Sequence, residues 1–379
     1  MDEERERQAA LLRGCTGVLS QQRTRTVREL LAELAGGDGA AHGPDGLLDG
    51  PLDGPPDVYG NGGPVARLEE RVAELLGFED AVFFPTGTMA QQVALRCWAE
   101  RTGSRTVAAH PLAHPEVHER QAYSALSGLR TVWPTAAPRL PTAAEVSGLD
   151  EPFGTLLLEL PLRDAGFVLP SWGELRGVVE AARDREAVVH FDGARLWETP
   201  GHFGRPLAEI AGLADSVYVS FYKSLGGLSG AALACSAEFG DQCRAWRHRY
   251  GGQLFQQWPA ALSALLGLDR ELPRLPSYVA HAQQVAAALA GALGGTPGAR
   301  VYPEPPHTHQ FQVWLPYPAA ELEAAGWRLA AETGRALFGR WREPLLPGLA
   351  MTEVTVAASA LEWSPQQVAE SAAAFLERL

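Results

Sequence analysis

Ser216-Val217-Tyr218-Val219-Ser220-Phe221-Tyr222-Lys223-Ser224-Leu225-Gly226-Gly227 is the stretch on which the reading of this chain turns. A β-rich run ends in a lysine, and a glycine pair follows. Of the 32 Lys+Arg residues in 379, Lys223 is the single lysine and the rest are arginine. Arginine serves wherever only positive charge is needed, and it stays protonated. Lysine can lose its proton when desolvated or placed near other cations, and its amine then becomes a nucleophile. A lone lysine in an arginine-rich chain therefore points to amine chemistry, with an imine to a carbonyl group as the first candidate. The alternative is a solvated residue left over by an arginine bias.

Working outward, the preceding strand-like segment is Ala187-Val188-Val189-His190-Phe191-Asp192, which runs into Gly193-Ala194-Arg195. An acid at the end of a parallel strand lies where open α/β sheets bind ligands. Further upstream, the apolar run Ala81-Val82-Phe83-Phe84 meets Pro85-Thr86-Gly87-Thr88-Met89 and a helical pattern from Ala90 to Glu100. A strand, a Gly/Thr turn and a helix start form an anion site, because free backbone N–H groups and the helix dipole converge there. By itself this turn is common in α/β proteins. Val107–Ala109 and Gly154–Leu160 read as further buried strands, and Trp172 to Arg183 as a helix. The alternation of strands and helices from 64 to 236 predicts a mostly parallel sheet with helices on both faces.

The flanks differ. Residues 1–35 read as helical. Residues 36–63 are a Gly/Pro/Asp-rich loop ending in Asp57-Val58-Tyr59-Gly60. A helix starts at Pro64 and stops at Gly77. Beyond Gly252 come helices at about 258–271 and 276–293, a strand at 310–315, a helix at 319–333 and a strand at 351–358. A last helix follows Ser364, with Pro365 at its first position and Gln367 completing a capping box. The expected domains are an N-terminal helix and arm (1–56), a large domain (57–257) and a smaller α+β domain (258–379).

Composition narrows the function classes. A net charge of -13 without a basic stripe argues against a nucleic-acid surface. No apolar run approaches the roughly 18 residues of a membrane helix. The charged start Met1-Asp2-Glu3-Glu4-Arg5 lacks the apolar core of a signal peptide, so the expected location is cytoplasmic. Cys15, Cys97, Cys235 and Cys243 form no CxxC pair, so no disulfide framework or zinc site is suggested. His110, His114 and His118 are spaced by four, but Pro111 and Pro115 break any helix that would align them. No metal site is expected, and one imidazole lying on a cofactor ring is the better functional reading.

Taken together, an imine-forming lysine, an acid able to keep a pyridine nitrogen protonated and a phosphate-binding turn specify pyridoxal 5′-phosphate (PLP). Asp57–Gly60, Phe84–Met89, His190–Arg195 and Asp215–Lys223 resemble, in order and spacing, the threonine aldolase / aromatic amino acid β-eliminating lyase family of fold-type I PLP enzymes. The resemblance runs from about residue 57 to 236. It implies a PLP-dependent lyase in which Gly87 and Thr88 bind the phosphate, and His114 stacks on the ring. Asp192 holds the ring nitrogen, Arg195 lies near the cofactor oxygen or substrate carboxylate, and Lys223 is the Schiff-base residue. Tyr59, Arg163 and Arg195 are the substrate-side candidates. It also implies a homodimer or homotetramer with the site at a subunit interface, and threonine-aldolase-like cleavage of a β-hydroxy-α-amino acid.

The departures concentrate on the substrate side. No Arg-Ser-Asp-Thr segment stands before Asp57. The family's Glu-Asn-Thr-His-Asn reads Glu159-Leu160-Pro161-Leu162-Arg163, so its hydroxyl-serving histidine is missing. Thr355 and Phe255 stand where arginines are expected, and Tyr222 and Ser224 flank the lysine in place of serine and glycine. A lost bidentate arginine is not replaced by charge alone. Arg163 is a replacement anchor, and His307 and His309 are candidate acid/base groups. These departures keep open β-elimination or another PLP reaction on a changed substrate. A non-catalytic relative is disfavoured by the retained pair of Lys223 and Asp192.

Overall fold

The computed structural model describes residues 2–20, 25–36, 54–344 and 346–379. Most of the glycine-rich loop expected at 36–63 lies outside the described residues. The chain divides by internal contacts into two units, Leu31–Arg274 and the combination of Met1–Leu30 with Leu275–Leu379.

The larger unit is built on a seven-stranded sheet. Its strands are β1 (Asp80–Phe84), β2 (Thr106–Ala108), β3 (Arg130–Val132), β4 (Thr155–Glu159), β5 (Val188–Gly193), β6 (Ser216–Ser220) and β7 (Ala231–Cys235). They lie in the order β1-β7-β6-β5-β4-β2-β3. All neighbours are parallel except β7, which runs antiparallel to both β1 and β6. β4 to β7 are buried along their lengths, apart from a half-buried Val188 at the start of β5. They therefore read as continuous apolar runs rather than as alternating ones, as a sheet covered on both faces requires.

Five helices matter for the site and its support: α1 (Gly63–Leu76), α2 (Gly87–Thr102), α3 (His114–Val117), α4 (Trp172–Arg183) and α5 (Ala237–Arg249). Gly77 ends α1 in the left-handed conformation, and its N–H and that of Phe78 close on Glu74 and Ala73. α2 begins at Gly87, three residues before the start the sequence suggests, because the Thr86 side chain caps it by accepting from Met89 N. Val93, Ala94 and Cys97 of α2 pack with Val82, Phe84, Leu233 and Phe239 into one apolar cluster. α6 (Trp258–Arg270) packs on α1, and so belongs with the larger unit by contact.

The second unit holds a three-stranded antiparallel sheet of β8 (Arg300–Tyr302), β9 (Gln310–Leu315) and β10 (Ala350–Thr355), with β9 in the middle. Helices Leu275–Leu293, Ala319–Thr333 and Pro365–Leu376 supply apolar residues to its core. Ser364 and Gln367 form the capping box read from the sequence. The continuous helix expected over 1–35 is interrupted. Asp2–Gly14 and Val27–Leu34 are helical, but Gly17–Val18 pairs in parallel with Arg335–Ala336. Gly17 leaves only enough room for the Trp363 ring, with a Cβ meeting it at 3.1 Å. The burial of Cys15, Val18 and Leu19 outweighs the helical tendency of that stretch.

Candidate active site

Three adjacent parallel strands end at one level. Glu159 of β4 is in register with Asp192 of β5, and Asp192 is in register with Tyr218 of β6. Register partners point to the same face of a sheet. The three polar side chains thus form one row at the carboxyl ends of the strands, where ligands of open α/β sheets bind. Beneath Asp192, two residues back on the same face, His190 is fully buried. Its ring nitrogens are paired with Ser216 Oγ and Gln91 Oε1, each at 2.8 Å. Burial pushes His190 down to about 4, so it is a neutral spacer.

Lys223 stands three residues past the end of β6, in a turn rather than in the strand itself. The turn is pinned on both sides. Phe221 is fully buried, and Gly227 N donates to Phe221 O at 2.8 Å. Gly226 takes a φ of 67°, which a side chain would resist. Ser224 Oγ hydrogen-bonds to the buried Glu198 carboxylate. Burial lowers the Lys223 pKa to about 8, helped by the positive charge of Arg195 and opposed by Asp192 and Glu159.

Asp192 is 1% exposed. Its Oδ1 accepts from Ala194 N at 3.1 Å, while the buried Oδ2 accepts nothing from the described protein. Glu159 sits beside it. Burial, reinforced by the Asp192 charge, raises Glu159 to about 7. Its two oxygens accept from His114 N at 2.7 Å and from Arg163 N at 3.2 Å. The last residue of β4 therefore fixes two separate backbone segments, the start of α3 and the turn after β4.

His114 opens α3. Its Nδ1 lies 3.2 Å from Glu119 Oε1, and the other Glu119 oxygen accepts from Gln92 at 2.7 Å. Loss of water pulls the imidazole pKa down, but the Glu119 hydrogen bond and the Asp192 charge outweigh it and raise the value. The charge of Lys223 also acts on His114. His118 lies one helical turn on, with the two rings 5.2 Å apart. His110 is turned elsewhere: Nε2 bonds to Ala137 O and Nδ1 accepts from Leu112 N. Among the described residues, no group of three or more His, Cys, Asp or Glu side chains is placed to hold a metal ion.

Gly87 is where α2 meets the row. A Cβ built there would come 2.1 Å from the Tyr218 hydroxyl, so only glycine admits the helix start so close to β6. The first N–H groups of a helix have no partner within it, so those of Gly87 and Thr88 are free to bind an anion. The structure thus brings Gly87, His114, Asp192, Arg195 and Lys223 into one neighbourhood. Arg195 lies with its guanidinium 5.3 Å from the Phe167 ring centre, and Arg163 reaches Asp164 at 3.6 Å. The charges of both arginines act on Lys223.

Tyr59 is placed differently. Asp57 is fully buried and accepts from Gly60 N and Gln257 N, which fixes the turn. Tyr59 is 51% exposed, and its ring meets Phe255 edge-on at 5.4 Å. His309 is held within the second unit, its Nδ1 2.5 Å from Val356 O, and Thr355 Oγ1 accepts from Gln310. Glu119, Gln92 and Tyr218 join the site without a sequence motif that marks them. Only pairing register and the fold of the 110–120 segment reveal them; the one signal in the chain is the position of Glu119 five residues after His114.

Comparison with known proteins gives the family. Residues 54–304 match the model of the β-eliminating lyase family. The low specificity L-threonine aldolase of Escherichia coli K12 is 32% identical over 225 residues, which are 58% of this chain and 67% of that one. A solved candidate aromatic amino acid β-eliminating lyase/threonine aldolase from Exiguobacterium is 35% identical. It covers 98% of this chain and 100% of its own, with a TM-score of 0.86. A candidate L-allo-threonine aldolase from Listeria monocytogenes is 32% identical, with 98% coverage of both chains and a TM-score of 0.86. The chain belongs to the β-eliminating lyase family, PLP-dependent lyases of fold-type I.

Proposed function

We propose that the protein cleaves the Cα–Cβ bond of a β-hydroxy-α-amino acid, using PLP held by Lys223. The observation that carries this is the row of strand ends together with the orphaned Asp192 oxygen. A buried carboxylate oxygen without a donor is costly. The protonated nitrogen of a pyridine ring is a donor of the right charge, so the residues fit the cofactor. Gly87 and Thr88 would take the phosphate, His114 would lie on the ring, and Arg195 would sit beside the cofactor oxygen or the substrate carboxylate. When bound, PLP supplies an electron sink for the pair released at Cα.

The protein's own groups supply the rest. Lys223, with its pKa lowered to about 8, keeps roughly a tenth of its amine free near pH 7, far more than an ordinary lysine, so its lone pair is available. Asp192 would keep the ring nitrogen protonated by charge and hydrogen bonding. Arg163, one residue past the Leu160–Leu162 stretch, would anchor the substrate carboxylate. The exposed aromatic pair of Tyr59 and Phe255 supports an assembly in which this turn faces a second copy, as a homodimer or homotetramer with shared sites.

The deciding experiment is product analysis of the PLP-loaded protein on L-threonine and L-allo-threonine. Glycine with acetaldehyde supports the proposal. A second reading, β-elimination, is favoured by the replacement of the family's histidine-bearing motif after Glu159. It would give 2-oxobutanoate and ammonia instead.

A further inference from the structure

The family histidine that would serve the substrate hydroxyl is absent after Glu159, yet retro-aldol cleavage needs a base for that proton. We propose that His118, oriented by Asp164, is the catalytic base for the substrate β-hydroxyl in this chain. The inference rests on the functional reading above and adds a residue to it.

The geometry supports His118 in three ways. It lies in the same short segment as His114, with ring centres 5.2 Å apart, so it stands one ring's distance from the group assigned to the cofactor face. Its Nε2 is 2.7 Å from Asp164 Oδ2, a strong contact between a ring nitrogen and a carboxylate. Asp164 accepts only, so the proton of the neutral imidazole sits on Nε2 and the lone pair on Nδ1. Among the described residues Nδ1 has no hydrogen-bond partner, and the side chain is 31% exposed. His114 contrasts with it, because its Nδ1 is committed to Glu119.

Asp164 and Arg163 are the two residues that follow the altered Glu-Leu-Pro-Leu stretch. Arg163 Nη1 lies 3.6 Å from Asp164 Oδ1 and 3.4 Å from His118 Nε2; it can only donate, so with the proton of His118 held on Nε2 by the 2.7 Å contact to Asp164, the partner of Arg163 here is the carboxylate. The turn that lost a histidine thus carries the carboxylate that orients another one. The groups facing His118 are His114 from its own segment, and Arg163 and Asp164 from the turn after β4.

The step balances simply. The hydroxyl proton moves to His118 Nδ1 and the C–O bond becomes a carbonyl. The Cα–Cβ bond breaks with its electron pair left at Cα, and a proton added there completes glycine. No oxidant or further reactant is required.

The test separates the hydroxyl step from all others. Glycine has no β-hydroxyl, so exchange of its Cα proton in D2O, followed by NMR, reports every part of the site except this base. In His118→Ala, cleavage of L-allo-threonine should fall by about 100-fold or more, while glycine exchange stays near the wild-type rate. Added imidazole should restore part of the cleavage. Asp164→Asn should also lose cleavage, because an amide donor would move the proton to Nδ1, as in triads whose orienting Asp is replaced. Asp164→Glu should retain more of it. Near-wild-type cleavage in His118→Ala, or a parallel fall in glycine exchange without imidazole rescue, overturns the assignment. If the wild-type protein exchanges glycine but cleaves no β-hydroxy amino acid, the functional reading falls and this inference with it.

Discussion

The strand ends and the 110–120 segment build the two sides of the same site by different means. Glu159, Asp192 and Tyr218 are set by the register of β4, β5 and β6, and cannot shift singly without breaking the sheet. His114 opens a four-residue helix and His118 caps its end, held by side-chain pairs to Glu119 and Asp164 and by one backbone bond to Glu159. Asp192, the residue assigned to the ring nitrogen, sits on the rigid side, and His114, assigned to the ring face, sits on the short segment. The altered stretch Glu159–Arg163 leaves the rigid side at the end of β4 and forms the turn that faces the short segment. Rigid elements hold chemistry that must not vary, and loops absorb changes in substrate.

If that division holds, damage should scale with which side is struck. Removing the amine is the severest case: Lys223→Ala should lower turnover by roughly a thousandfold or more in steady-state assays, since no other side-chain amine exists to replace it. Next comes the support of the short segment. Glu119→Gln leaves the fold intact but loosens His114, and misplacement of such a group costs up to about 100-fold in kcat. A Glu119→Gln enzyme with unaltered kcat would mean that His114 is positioned by its backbone alone.

Smaller effects probe the rigid side through stability. Gly87→Ala forces a methyl group against the Tyr218 hydroxyl and should cost about 1–3 kcal/mol, read as a lower Tm and weaker PLP affinity. The smallest expected signal is electrostatic. Glu159 titrates near 7 in the fold against an ordinary value of 4.5. The folded state therefore holds a proton that the unfolded chain releases between those values. Stability from this group is full below about pH 4.5 and is lost as pH rises through 7. In the cofactor-free protein, Glu159→Gln should flatten the fall in Tm over that window, and an unchanged slope would show that Glu159 is charged throughout.

Much of the rigid side was readable from the chain. Lys223 stands out because arginine occupies every other cationic position, and Asp192 because it ends an apolar run. The helices at 172–183 and 319–333 and the strand at 310–315 follow from their periodicity and come out with those bounds. The row joining Glu159 to Tyr218 was not readable, since pairing register is a property of three strands at once. The break at Gly17–Val18 was hidden for a similar reason, its partner lying more than 300 residues away at Arg335–Ala336. The pairing of His118 with Asp164 spans 46 residues. Spacing shows the histidine but not its carboxylate.

The single lysine makes the central claim directly testable. The PLP-loaded protein is reduced with borohydride, digested and mapped by mass spectrometry. The account predicts one phosphopyridoxyl adduct, on the peptide carrying Lys223, and none on that peptide in Lys223→Ala. An unmodified Lys223 peptide in protein that retains activity, or an adduct confined to the N-terminal amine, would contradict it.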